Sequence, residues 1–254
     1  MKFCRIILIF ILYSNYSIAQ NKSLWAIEQE LYKDYEALSS NEDWEIREEL
    51  AKKFKKKFES FLRKYPTTFD YTFTKLLSTK YFHITTSKDK RLKIYSWNEQ
   101  TGGSMRIFCS IFQFKSNEKI VIDYPNDYED TFYSAIHEVK IGQRTYYLAI
   151  NNGIYSNKDA SQAIEAFYIK NNKVIRSTDL FVSKNNQTGD IEVSYDFFSV
   201  VDRPERPVEI ISYDNRLKIV YIALVDESGK VSNSNLLYQL KGEKFVYIGI
   251  KKAK

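Results

Sequence analysis

The tightest constraint on the fold is an internal repeat. Ser87-Lys88-Asp89-Lys90-Arg91-Leu92-Lys93-Ile94 returns as Ser212-Tyr213-Asp214-Asn215-Arg216-Leu217-Lys218-Ile219, identical at six of eight positions. A weaker copy, Gly142-Gln143-Arg144-Thr145-Tyr146-Tyr147, lies between them. Self-similarity at spacings of some tens of residues marks one supersecondary unit used several times. Each copy has a second landmark downstream. Phe112-Gln113-Phe114-Lys115 leads to Lys119-Ile120, Phe167-Tyr168-Ile169-Lys170 to Lys173-Val174, and Tyr238-Gln239-Leu240-Lys241 to Lys244-Phe245. Period-two alternation on both sides of a short polar loop, such as Asn171-Asn172 or Gly242-Glu243, predicts a β-hairpin in each. Adding the strand before each arginine and the one after it gives a meander of about four strands per copy.

The predicted fold is therefore mainly β: repeated four-strand meanders, propeller-like or an open barrel, preceded by an N-terminal helical hairpin. The β-repeat domain spans 67–254, with copies at about 78–125, 131–182 and 207–250 and an insertion at 183–206. A closed propeller typically needs about 4–8 blades, so three copies require either a fourth, incomplete blade or an open form.

The N-terminus, 1–19, has the pattern of an export signal. Lys2 and Arg5 precede the apolar run Ile6 to Tyr13, and Ser17-Ile18-Ala19 offers a small-x-small cleavage site before Gln20. The run is shorter than the roughly 20 residues of a membrane span. The expectation is an exported chain, periplasmic or extracellular, cleaved near Ala19 and without a stable membrane span. Cleavage leaves Cys109 as the only cysteine, so no internal disulfide holds the fold. Over 20–66 the periodicity becomes helical. Leu24, Ile27, Leu31, Tyr35 and Leu38 form one stripe, with Ser23 as N-cap, and Leu50, Phe54, Phe58, Phe61 and Tyr65 form another before Pro66. This hairpin is expected to pack on the β region. The lysines at 52, 53 and 55–57 read as its solvated face, and no nucleic-acid partner is expected.

The insertion ends in Asp202-Arg203-Pro204-Glu205-Arg206-Pro207. Proline restricts itself and the residue before it, and a polyproline II segment would carry Arg203 and Arg206 along one edge of a stiff rod. The plainer reading is a linker whose charges pair locally. Trp97 sits where a strand gives way to the turn Thr101-Gly102-Gly103-Ser104, a place suited to ligand contact, although large aromatics mostly pack in cores. Trp97, Arg203 and Arg206, at one end of the β unit, are the candidate binding residues.

Catalytic and metal patterns are sparse. His83 and His137 stand alone in different copies, Cys109 lies in an apolar strand, and no Walker loop, dinucleotide fingerprint or Gly-x-Ser-x-Gly occurs, so no cofactor or metal is expected. Asp123, Asp127, Glu129 and Asp130 crowd one loop without the spacing or glycine of an EF-hand, which favours a solvated turn. These acids, or Asp190, Glu192 and Asp196, could furnish a carboxylate pair for glycoside hydrolysis. The abundance of Tyr and Phe, 20 and 17 residues, suits a carbohydrate or peptide surface.

Lys93 to Asn98 with Thr101-Gly102-Gly103-Ser104-Met105, and Tyr195-Asp196-Phe197-Phe198-Ser199-Val200-Val201-Asp202-Arg203-Pro204-Glu205-Arg206-Pro207, resemble a family of exported bacterial proteins of unassigned activity. That family has Asp in place of Asn98 and Thr in place of Ser104, so an acid is missing here. The resemblance implies an exported bacterial β protein and adds no activity. The functional expectation is a non-enzymatic binding or interaction protein of the bacterial envelope, with an envelope protein or glycan as partner. The alternative is a cell-envelope glycan hydrolase using paired Asp and Glu.

Overall fold

The computed structural model describes residues 24–124, 130–184 and 186–252. The export signal over 1–19, the Ser23 cap, Asp127 and Glu129 lie outside the described residues. The chain divides into two compact units, Met1–Lys80 and Tyr81–Lys254.

In the first unit, helix α1 covers residues 24–40 and α2 covers Trp44–Lys64. Asp43 starts α2 because its carboxylate accepts the backbone N–H groups of Glu45 and Ile46, at 2.9 and 3.2 Å, which would otherwise lack partners. The stripe Phe54, Phe58, Phe61 is buried as its spacing predicts. Its partner within the unit is the next segment of chain, a 3-10 turn at Pro66–Asp70 and the short helix α3 at Thr74–Leu77. Phe73 stands edge-on to Phe58 and Phe61, with ring centroids 5.7 and 6.1 Å away. Glu28 ties this segment down. Its fully buried carboxylate accepts from the Tyr71 hydroxyl at 2.6 Å and from the N–H groups of Lys75 and Leu76 at 2.7 and 3.1 Å. Residues 67–80 thus belong to the helical unit, whereas the sequence reading began the β domain at 67. The α2 lysines behave as a solvated, partly paired face: Lys57 meets Asp34 at 2.7 Å and Lys52 meets Glu48 at 2.6 Å.

The second unit is mainly β and contains three sheets. The first is the meander β1 (Phe82–Thr86), β2 (Leu92–Asn98), β3 (Phe108–Ser116) and β4 (Lys119–Asp123). The second runs through β5 (Thr131–Ile141), β6 (Arg144–Ile154) and β7 (Asp159–Lys170). The outer edge of β7 is shared, its first half pairing with β11 (Asp190–Asp196) and its second with β8 (Lys173–Arg176). The third sheet is the meander β12 (Ile211–Asp214), β13 (Ile219–Val225), β14 (Val231–Lys241) and β15 (Lys244–Lys252). It is extended by β9 (Phe181–Val182), parallel to β15, and by β10 (Gln187–Thr188). Among the described residues no fourth sheet closes a propeller ring; the open arrangement is the one found.

The hairpin landmarks fold as their chemistry dictates. Asn117-Glu118 and Asn171-Asn172 occupy both central turn positions with positive φ, and Gly142 and Gly242 open the other two tight turns the same way. Such turns match the twist of the strands they join. The flanking lysines pair across the last rung, Lys170 with Lys173 and Lys241 with Lys244.

The sheets form layers, with the second in the middle. Alternate residues of β6 enter opposite cores. Tyr147 and Ala149 join Leu92, Ile94, Phe112 and Phe114 of the first sheet, while Leu148 and Ile150 join Val220, Ile222 and Phe245 of the third. A bulge between Tyr133 and Ala135 shifts the parity of β5, so that Tyr133 and Ile136 face the first core and Val139 and Ile141 the second. A sheet covered on both faces must satisfy its polar side chains internally. Gln162 accepts from the N–H groups of Ile210 and Ile211 and donates to Asn152 and Val208 O, which pins the entry to β12 onto the middle sheet. Glu165, 1% exposed, accepts from the Tyr133 hydroxyl and the Asn151 amide and pairs with Arg176 at 2.5 Å.

Candidate functional site

Trp97 does not stand at an exposed strand end. It is 0% exposed, lies against Phe82 with ring centroids 6.1 Å apart, and belongs to a strand whose seven residues are all buried. This corrects its assignment to a surface site. Burial was decided by what covers the strand, which its flanking turn does not reveal. Arg203 and Arg206 lie in the connection from β11 to β12. The stiff rod is not formed either. The Arg206 guanidinium donates to Val201 O at 2.7 Å, to Glu205 O at 2.6 Å and to Arg203 O, and it stacks over Phe197 at 5.6 Å. A polyproline II segment would carry Val201 about 15 Å from Arg206, too far for that bond. Arg203 donates to Glu209 O at 3.4 Å. Both guanidinium groups are thus engaged by carbonyls of their own loop.

The remaining candidates occupy structural positions. Cys109 is buried on β3. His83 stacks on Phe132 with centroids 4.0 Å apart, and burial pushes its pKa down to about 4; burial also lowers that of His137. Asp123 accepts backbone N–H groups on both oxygens, from Tyr124 at 2.9 Å and Val174 at 3.0 Å, so it fastens β4 to β8. On β11, Asp190 shares Arg176 with Glu165, and Asp196 faces Lys158 at 3.6 Å and caps Phe198 N. Among the described residues no group of three or more His, Cys, Asp or Glu is arranged to hold a metal ion.

The structure instead gathers charge at the turn-bearing end of the middle sheet. A cleft of about 670 Å³ opens there, lined from all three sheets. The first sheet contributes Arg91, from the loop before β2. The second contributes the β5–β6 turn, Ile141 to Tyr147, with Ile169 and Lys170 from the end of β7. The third contributes Glu243 and Lys244 from the β14–β15 turn. Four cationic side chains and one carboxylate therefore face a wall that also holds Tyr146, Tyr147, Ile141 and Ile169.

Arg144, Lys244 and Tyr147 are each held by identifiable contacts. The Arg144 guanidinium lies over the Tyr168 ring at 4.2 Å and donates to the Tyr146 hydroxyl at 3.1 Å, a cation–π contact that fixes the plane of its fork. Lys244 donates to the Asp179 carboxylate at 2.6 Å and to Asp179 O at 2.9 Å, and this bond holds the Asp179 carboxyl below the usual carboxylate range. Tyr147 forms part of the floor. Its hydroxyl donates to Asp89 at 3.0 Å; burial, and then the Asp89 charge, push its pKa well above the ordinary tyrosine value. Asp89 N–H in turn donates to Glu138 at 3.0 Å, so the loop bearing Arg91 is clamped to the middle sheet. Among the described residues Arg91 and Lys170 have no carboxylate within ion-pair distance, which leaves two full positive charges on the rim.

Two of the four cations, Arg91 and Arg144, are the repeat arginines themselves. The signal that could have located the cleft was therefore present in the repeat, which speaks of architecture until the turns of different copies are known to meet. No family model, curated protein or solved structure matches the chain, so the resemblance to exported bacterial proteins rests on its residues alone. No described helix is long and apolar enough to cross a membrane.

Proposed function

We propose that the protein is an exported, non-enzymatic binding protein of the bacterial envelope that takes an anionic ligand in the three-sheet cleft. The convergence of Arg91, Arg144, Lys170 and Lys244 around a partly apolar concavity carries this reading. Cations in a concave site focus potential on an incoming anion, and guanidinium forks match carboxylate and phosphate oxygens in pairs. Glycoside hydrolysis takes two carboxyl groups across the scissile bond, and the lining supplies one, Glu243. The cleft thus favours binding over hydrolysis.

The test must separate this cleft from the general basicity of a chain with formal net charge +6. Purified protein is titrated with anionic polymers and compared with two double variants of equal charge change. Arg91→Glu with Arg144→Glu reverses the cleft; Lys53→Glu with Lys56→Glu reverses exposed positions on α2. The reading requires at least about a hundredfold loss of affinity in the first variant, some tenfold per charged contact, and little change in the second. Equal losses in both would reduce the binding to net charge and sink the reading.

A further inference from the structure

We infer that the ligand is an acidic sugar chain, a polymer whose units carry both hydroxyls and a carboxylate, rather than a densely charged polyanion such as polyphosphate. The inference rests on the anion-binding reading of the cleft and names its ligand class. It comes from what stands between the cations. Tyr146 is half-buried, and Ile141 and Ile169 also line the cleft, so apolar side chains stand among the cations. Sugar rings have an apolar C–H face that suits such a wall, whereas a phosphate chain presents no apolar surface. Gln143 and Thr145 supply neutral donors and acceptors of the kind that pair with hydroxyls.

Glu243 is the more selective element. Its carboxylate lies over the β5–β6 turn, with Oε1 3.5 Å from where a side chain on Gly142 would begin. A carboxylate in a cationic cleft repels a densely charged polymer that has no hydrogen-bond donors to offer it, yet it accepts hydrogen bonds from sugar hydroxyls. A chain with one charge per ring can place its carboxylate on Arg144 or Arg91 and its hydroxyls toward Glu243. The volume, about 670 Å³, lies within the range of about 300–1,000 Å³ typical of ligand sites and suits a short run of sugar units.

The experiment measures affinity of the full protein for polygalacturonate, polyphosphate, polyglutamate and neutral dextran at one ionic strength. Polygalacturonate is expected to bind about tenfold or more tightly than polyphosphate or polyglutamate, with dextran weakest. Glu243→Gln, an exposed and nearly isosteric change, is expected to strengthen polyphosphate binding severalfold without strengthening that of polygalacturonate. Tyr146→Ala is expected to weaken polygalacturonate selectively. Polyphosphate or polyglutamate binding as tightly as polygalacturonate, or Glu243→Gln acting equally on all three anions, overturns the sugar-acid assignment while leaving the anion site standing. Failure of all three anions to bind removes both.

Discussion

The two strong copies of the repeat octapeptide share six residues and a four-residue loop, yet they do not fold alike. In the first copy Ser87 pairs with Leu92 through Ser87 N–H to Leu92 O at 2.8 Å, so the loop is Lys88 to Arg91. In the last copy Asp214 pairs with Ile219, so the loop is Asn215 to Lys218. The turn has slid by two positions along the same sequence. As a result Leu92 is 0% exposed in the core, while its counterpart Leu217 is 44% exposed in the turn. One of the two non-identical positions explains the slide. Lys88 is exposed and sits well in a loop, but its counterpart Tyr213 is buried against Phe245, with ring centroids 5.9 Å apart, and so belongs in a strand. The capping group changes accordingly. Ser87 Oγ accepts from Arg91 N and Leu92 N in the first copy, whereas Asp214 Oδ1 accepts from Arg216 N and Leu217 N in the last. A repeat thus conveys the unit and its turn length, while the burial of one aromatic side chain sets the register.

Matched substitutions probe this difference. Leu92→Ala is expected to cost about 2–5 kcal/mol by chemical denaturation and Leu217→Ala less than about 0.5 kcal/mol; equal costs would mean that the two turns share one register. Ser87→Ala should destabilise by about 1 kcal/mol through the Leu92 N–H that it strands, since Arg91 N–H keeps Asp89 Oδ1 at 3.0 Å, and Ser212→Ala, in a strand, by less than about 0.5 kcal/mol. Arg91 lines the cleft and Arg216 does not. Titration with polygalacturonate should therefore show about a tenfold loss for Arg91→Ala and no more than about a twofold loss for Arg216→Ala, the first worth about 1.4 kcal/mol. The smallest effect is expected at the seventh position. Lys218 has φ +54°, so Lys218→Gly should be neutral or stabilising by less than about 1 kcal/mol. Lys93, its counterpart, lies in a buried strand, and Lys93→Gly should change stability in the opposite direction.

The units of the fold were legible because their chemistry is local. Asn171-Asn172 and Gly242 mark tight turns whatever surrounds them, and the stripe of Phe54, Phe58 and Phe61 predicts its own helix. The layering was not legible, since Tyr147 and Leu148 look equally apolar in sequence and only the folded chain sends them to different cores. The burial of Glu28 was not legible for a similar reason: its acceptors serve backbone N–H groups more than forty residues away. The cleft lies further from the sequence still. Arg91, Arg144 and Lys244 were each visible as turn residues, but their meeting depends on how three sheets stack, and Trp97 was misplaced because its cover lies outside its own strand.

The double-sided burial of the middle sheet also bears on the order in which the molecule can be assembled. When residues 131–176 leave the ribosome, the first sheet has already been made and can cover one face. Leu148, Ile150, Ile164 and Ala166 on the other face await β12 to β15, whose last strand ends at Lys252. At synthesis rates of about 5–20 residues per second, that face stays uncovered for some seconds, as a sticky apolar surface on a nascent chain. A holding chaperone that favours extended apolar segments would meet this protein at its centre rather than at either end.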